Sequence, residues 1–81
     1  MTPISGLHFA VLNDDGGVYR YPVVALDGAG DLIVTHFAEP RSLNAWEILD
    51  AGDVVGMAVV SATLPRDQVI SACRRNGTQF V

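Results

Sequence analysis

The chain has 81 residues, 49% of them hydrophobic, with nine acids against five arginines, no lysine and one cysteine, for a formal net charge of −4. These figures argue against intrinsic disorder, leave too little chain for a second hydrophobic core, and exclude an intramolecular disulfide and a complete cysteine-based zinc site. A net-acidic surface also repels phosphate, which argues against direct nucleic-acid binding.

The start, MTPISGLHF, has neither the cationic residues nor the long apolar run of a secretory signal, and no apolar stretch approaches the roughly 20 residues of a membrane span. The expectation is one domain over residues 1–81, cytoplasmic and without a membrane partner. The charge is unevenly distributed. Residues 1–53 carry eight acids and two arginines, and residues 54–81 carry one acid and three arginines.

Taken in chain order, Leu7–Leu12 (LHFAVL) reads as a short strand ending at the turn Asn13-Asp14-Asp15-Gly16-Gly17. Val18–Leu26 is the second strand, with Tyr19, Tyr21, Val23 and Ala25 on one face and Arg20, Pro22, Val24 and Leu26 on the other. Asp27-Gly28-Ala29-Gly30-Asp31 turns it into a third strand, Leu32–Phe37, and this Val18–Phe37 hairpin is the element on which the rest is expected to pack. Pro22 has no N–H for a ladder, so either the ladder breaks there or the first strand pairs elsewhere.

Ala38-Glu39-Pro40 reads as a strand break, and Ser42 as the cap of a helix over Leu43–Asp50 that ends at Gly52. Leu43, Trp46 and Leu49 make its apolar stripe. Asp53–Ala62 (DVVGMAVVSA) is a nearly continuous apolar run that suits a buried central strand. Thr63 is positioned to cap a second helix, Leu64–Arg75, with Pro65 in its first turn, Val69, Ala72 and Cys73 inward, and Asn76-Gly77 at its end. Thr78–Val81 would add a short edge strand or fray. The fold class is therefore α+β: a mostly antiparallel sheet of about four strands with two short helices, in the order β-β-β-α-β-α.

No catalytic constellation emerges. His8 and His36 stand singly on strands without the close-spaced partners of a metal site, and Cys73 falls on an apolar helix face where a thiol is inert packing. Gly28-Ala29-Gly30 lacks the Lys-Ser/Thr pair and the following helix of a phosphate loop, and Asp14-Asp15 lacks the later ligands of a calcium loop. Tyr19, Arg20 and Tyr21 could form part of a base-stacking platform, though one arginine gives it little electrostatic support. No cofactor is expected, and the protein is read as not an enzyme.

The acids remain. Asp14 and Asp15 lie in one turn and Asp27 and Asp31 in the next, while Glu39, Glu47, Asp50 and Asp53 come from the first helix and its flanks. Gathered on one side, these eight carboxylates would occupy a groove lined by arginine and lysine in place of nucleic-acid phosphates. In length, acidity and lack of catalytic motifs, the chain resembles the small anti-CRISPR proteins of phages and mobile elements. That resemblance implies tight binding to the basic DNA-binding groove of a CRISPR surveillance complex, so that target DNA is kept out. The alternative is a structural or adaptor module that self-associates, or binds a protein partner, through its sheet or its Tyr19/Tyr21 surface.

Overall fold

The computed structural model describes residues 2–36, 39–42 and 53–77. Among them are β1 (Thr2–Pro3), β2 (Leu7–Asn13), β3 (Val18–Leu26), β4 (Leu32–His36), β5 (Glu39–Ser42), β6 (Val54–Ser61) and one helix, α1 (Arg66–Asn76). The strands form a six-stranded sheet in the order β5-β4-β3-β2-β6, with β1 paired to β3, and every described pairing is antiparallel.

This corrects the expected order β-β-β-α-β-α with about four strands. The described order is six strands followed by one helix. Glu39-Pro40-Arg41-Ser42 is a strand and not a break, paired with β4 from His36↔Glu39 to Ile33↔Ser42. Its composition hides it, because Pro40 removes a donor and is tolerated on an outer strand. Ser42 accordingly sits in a ladder, while the helix expected over Leu43–Asp50, its Gly52 end and the tail 78–81 lie outside the described residues.

The strand that contributes to both apolar clusters from its two faces is β2, and the β3–β4 hairpin is not the centre of the fold. Phe9, Ala10, Val11 and Leu12 are all at most 2% exposed, so both faces of β2 are covered. On one face Phe9 and Val11 join Val23, Val34 and Met57 in a core cluster. On the other, Ala10 and Leu12 join Ala58 and Val60 of β6 and Val69 and Cys73 of α1. A continuous apolar run is what a strand buried on both sides requires. The similar run in β6 has a different fate. It lies at the end of the described strand order, and Val55 and Val59 stay partly exposed.

Pro22 marks the place where β3 passes from one ladder to another. Residues 18–22 pair with β2, ending at His8↔Pro22, and the pairing with β4 begins at Val23↔Val34. Asn13 N donates to Gly17 O, which shows that odd-numbered residues of β2 direct their main-chain groups at β3. His8 is even-numbered, so the missing N–H of Pro22 faces away from β2 and costs that ladder nothing. A bulge between Val23 and Ala25 follows and bends the strand.

Helix α1 starts later than expected. Pro65 occupies the cap position without a side-chain capping bond, and Thr63 instead bonds the Ser61 hydroxyl. The helix ends at Gly77, whose φ of 61° suits glycine and whose N–H returns to Cys73 O. Asn76 Nδ2 donates to Met57 O at 2.7 Å and Met57 N donates to Gly77 O at 2.7 Å, fastening the helix end to β6. No helix among the described residues is long and apolar enough to cross a membrane.

The helix can seat this closely only because position 56 has no side chain. A Cβ on Gly56 would lie 2.5 Å from Cys73 O, a main-chain atom. Gly56→Ala is expected to cost about 1–3 kcal/mol as α1 is pushed off the sheet. Gly28→Ala adds a Cβ with nothing within 4 Å and is expected to stay within about 0.5 kcal/mol. Thermal denaturation of the two variants side by side checks both.

Candidate functional site

The eight candidate acids do not form one surface. Asp14 and Asp15 occupy the β2–β3 turn, and Asp14 N donates to Asp53 O at 2.8 Å, so these three gather at one end of the sheet. Asp27 and Asp31 occupy the β3–β4 turn at the other end of β3, about 26 Å of extended chain away. Glu39 begins β5 opposite His36, at the end of β4 remote from that turn. Glu47 and Asp50 lie outside the described residues.

The acids also differ in what they do. Asp27 Oδ1 accepts from Ala29 N and from Asp31 N, both at 2.9 Å, while Asp27 O accepts from Gly30 N at 3.1 Å. With those three amides engaged by one aspartate, the loop is a closed turn and offers no cradle to a phosphate. Asp15 Oδ1 accepts from Gly17 N at 2.7 Å, which shapes the β2–β3 turn. The carboxylates of Asp14 and Asp53 take no hydrogen bond or ion pair among the described residues, and both residues are exposed.

Arg20 has a structural role that its sequence setting did not disclose. Its Nη1 donates to Leu64 O at 2.6 Å, and its Nη2 to Ser61 O at 2.9 Å and Ala62 O at 3.2 Å. Its Nε donates to His8 Nδ1 at 3.1 Å. The guanidinium thus ties β3 to β2 and to the β6–α1 connection, and it is engaged with carbonyls instead of facing outward as a nucleic-acid contact. Arg66 acts likewise, donating from Nη2 to Gly16 O at 3.0 Å and holding the acidic turn against the start of α1. The sequence shows only that Arg20 alternates out of phase with Tyr19 and Tyr21, which puts it on the opposite face of the strand and does not name its carbonyl partners.

His8 must accept through Nδ1, so its ring is neutral with the proton on Nε2. Burial, and then the charge of Arg20, hold its pKa below the ordinary histidine value. Burial raises the Cys73 thiol, whose Sγ lies 3.7 Å from Ala10 O, so it packs as a protonated group. Tyr21 packs against the Phe9 cluster and is raised mainly by burial, with Tyr19 adding to it, whereas Tyr19 is half exposed. Among the described residues no three His, Cys, Asp or Glu side chains are grouped to hold a metal ion. Comparison with protein-family models, with curated proteins and with solved structures finds no match.

Structural and free acids separate by substitution. Asp27→Ala leaves two amides without their acceptor and is expected to lower stability by about 1–2 kcal/mol. Asp14→Ala is expected to remain within about 0.5 kcal/mol of the parent. Urea denaturation curves for the two variants test the distinction, and equal midpoints would contradict it.

Proposed function

We propose that the protein is a small non-enzymatic binding protein that engages a basic protein surface through the end of the sheet carrying Asp14, Asp15 and Asp53. The specific form that the sequence resemblance suggests is an anti-CRISPR inhibitor. It would act in the cytoplasm on the DNA-binding groove of a CRISPR surveillance complex, without cofactor, membrane or direct nucleic-acid partner. The observation that supports this reading is the exposure of Asp14 and Asp53 beside Asp15, while Arg20 and Arg66 are bonded to main-chain carbonyls. Carboxylates presented in this way complement arginine and lysine on a partner.

A second reading, self-association through the sheet, draws on the exposure of Tyr19, Val55 and Val59, at 50%, 47% and 36%. Apolar contacts of that kind weaken little with ionic strength, so size-exclusion profiles that stay dimeric from low to high salt would favour it over charge-driven binding.

The substitutions for a binding test follow from the site. Asp14→Lys and Asp53→Lys reverse two exposed charges, and Asp15→Asn removes a charge while keeping the acceptor for Gly17 N. Asp27 is left alone because its carboxylate builds a turn. Against a DNA-targeting surveillance complex, the triple variant is expected to bind at least about tenfold more weakly, with a shallower salt dependence than the parent. Unchanged affinity with an unchanged salt slope would eliminate the charge-based mechanism.

A further inference from the structure

Three segments meet at one guanidinium. Arg20 reaches from β3 to His8 on β2 and to the carbonyls of Ser61, Ala62 and Leu64 between β6 and α1. The connection has its own main-chain fastenings, Ala62 N to Gly6 O at 2.9 Å and Leu64 N to Ser61 O at 3.0 Å. Helix α1 is held over β2 and β6 directly beyond it.

We propose that the His8–Arg20 contact is a proton-operated latch, in which protonation of His8 releases Arg20 from the Ser61–Leu64 connection and loosens the seat of α1. A neutral imidazole accepts from Arg20 Nε, but an imidazolium has donors on both nitrogens and no acceptor. Two N–H groups then face each other where one hydrogen bond stood, and two cations stand side by side. The guanidinium is planar and rigid, so a withdrawal of Nε from the imidazolium moves Nη1 and Nη2 with it and strains their bonds to the three carbonyls.

The surroundings offer the imidazolium no compensating charge among the described residues. From β3 it meets Arg20, and from β6 its register partner is Val60, beside Ser61. The titratable group that α1 turns inward is the Cys73 thiol, kept protonated by burial. The lowered His8 pKa agrees with this geometry. The sign follows from proton binding. As pH falls below the ordinary histidine value of 6.5, the unfolded chain takes up the proton first. The latch therefore contributes stability fully above that value and loses it as pH falls through the lower value of the folded state.

Amide hydrogen exchange by NMR on the full chain, run from about pH 7.5 to about pH 5 beside the titration of the His8 ring signals, tests the latch. Protection of the Ala62 and Leu64 amides, corrected for the intrinsic pH dependence of exchange, is expected to fall about tenfold as His8 is protonated. Protection at Phe9 is expected to hold. His8→Asn supplies an acceptor that does not titrate, and its Ala62 and Leu64 protection is expected to stay level over the same range. If that variant fails to fold, the wild-type titration decides alone. A midpoint shared by the His8 ring and the two amides supports the latch. Unchanged protection, or an equal loss at Phe9, overturns it.

Discussion

Four consecutive residues of β2, from Phe9 to Leu12, are withdrawn from water, and a strand with no wet face cannot exist in a single layer. It must be covered on both sides, and a chain of 81 residues has few elements with which to do so. Helix α1 supplies one cover. The other comes from the half of the sheet containing Val23 and Val34. Each cover imposes a local demand. The helix can approach only over a position without a side chain, which is Gly56. The far half of the sheet can turn inward only if β3 changes ladder, and it does so at Pro22 and the bulge that follows. Two residues that look like blemishes in otherwise good strands are thus consequences of burying β2 twice.

Arg20 completes the arrangement from outside the apolar clusters. An eleven-residue helix is too short to persist by itself in water, so α1 depends on its seat. The connection leading into it has neither a side-chain helix cap nor a disulfide, and a charged donor bonded to three of its carbonyls takes their place. The same contact shapes the electrostatics. Arg20 is one of two arginines among residues 1–53, and its charge is directed at main-chain oxygens instead of at the neighbouring acids.

Much of this was readable from residues and some was not. Strands β2, β3, β4 and β6 and the helix Arg66–Asn76 lie within a few residues of where period and turn chemistry put them, because glycine-rich turns and β-branched runs act locally. The centre of the fold was not readable in that way. LHFAVL and VVGMAVVS look alike as apolar runs, and only the tertiary arrangement buries both faces of the first while leaving Val55 and Val59 of the second partly exposed. Strand β5 is not legible because EPRS has no apolar alternation and contains a proline, although its partner β4 directly precedes it in the chain. The site shows the same limit. That Asp14, Asp15 and Asp27 sit in turns was legible. That Asp27 closes its turn through two amides while the Asp14 carboxylate takes no bond among the described residues depends on loop geometry that composition does not encode.

The distance between the two acidic turns bears on any charge-driven recognition. Fields from exposed charges decay over about 8 Å at physiological ionic strength. The turns at the two ends of β3 are separated by about three times that length of extended chain. A basic partner of the kind proposed would therefore meet these turns as two separate acidic points instead of one continuous strip, and they are not equivalent. At the β3–β4 turn the Asp27 carboxylate already accepts two amides, which reduces what it can offer a partner's cation. Asp14 on the β2–β3 turn and Asp53 beside it, just before β6, keep their acceptor capacity among the described residues, and Arg66 fixes the turn through Gly16 O without neutralising a carboxylate. Exposed carboxylates on a turn tied by main-chain bonds at Asn13, Gly16 and Asp53 would lose less conformational freedom on binding than carboxylates on a loose loop, which is the condition under which a few surface charges contribute to affinity and not only to encounter rate.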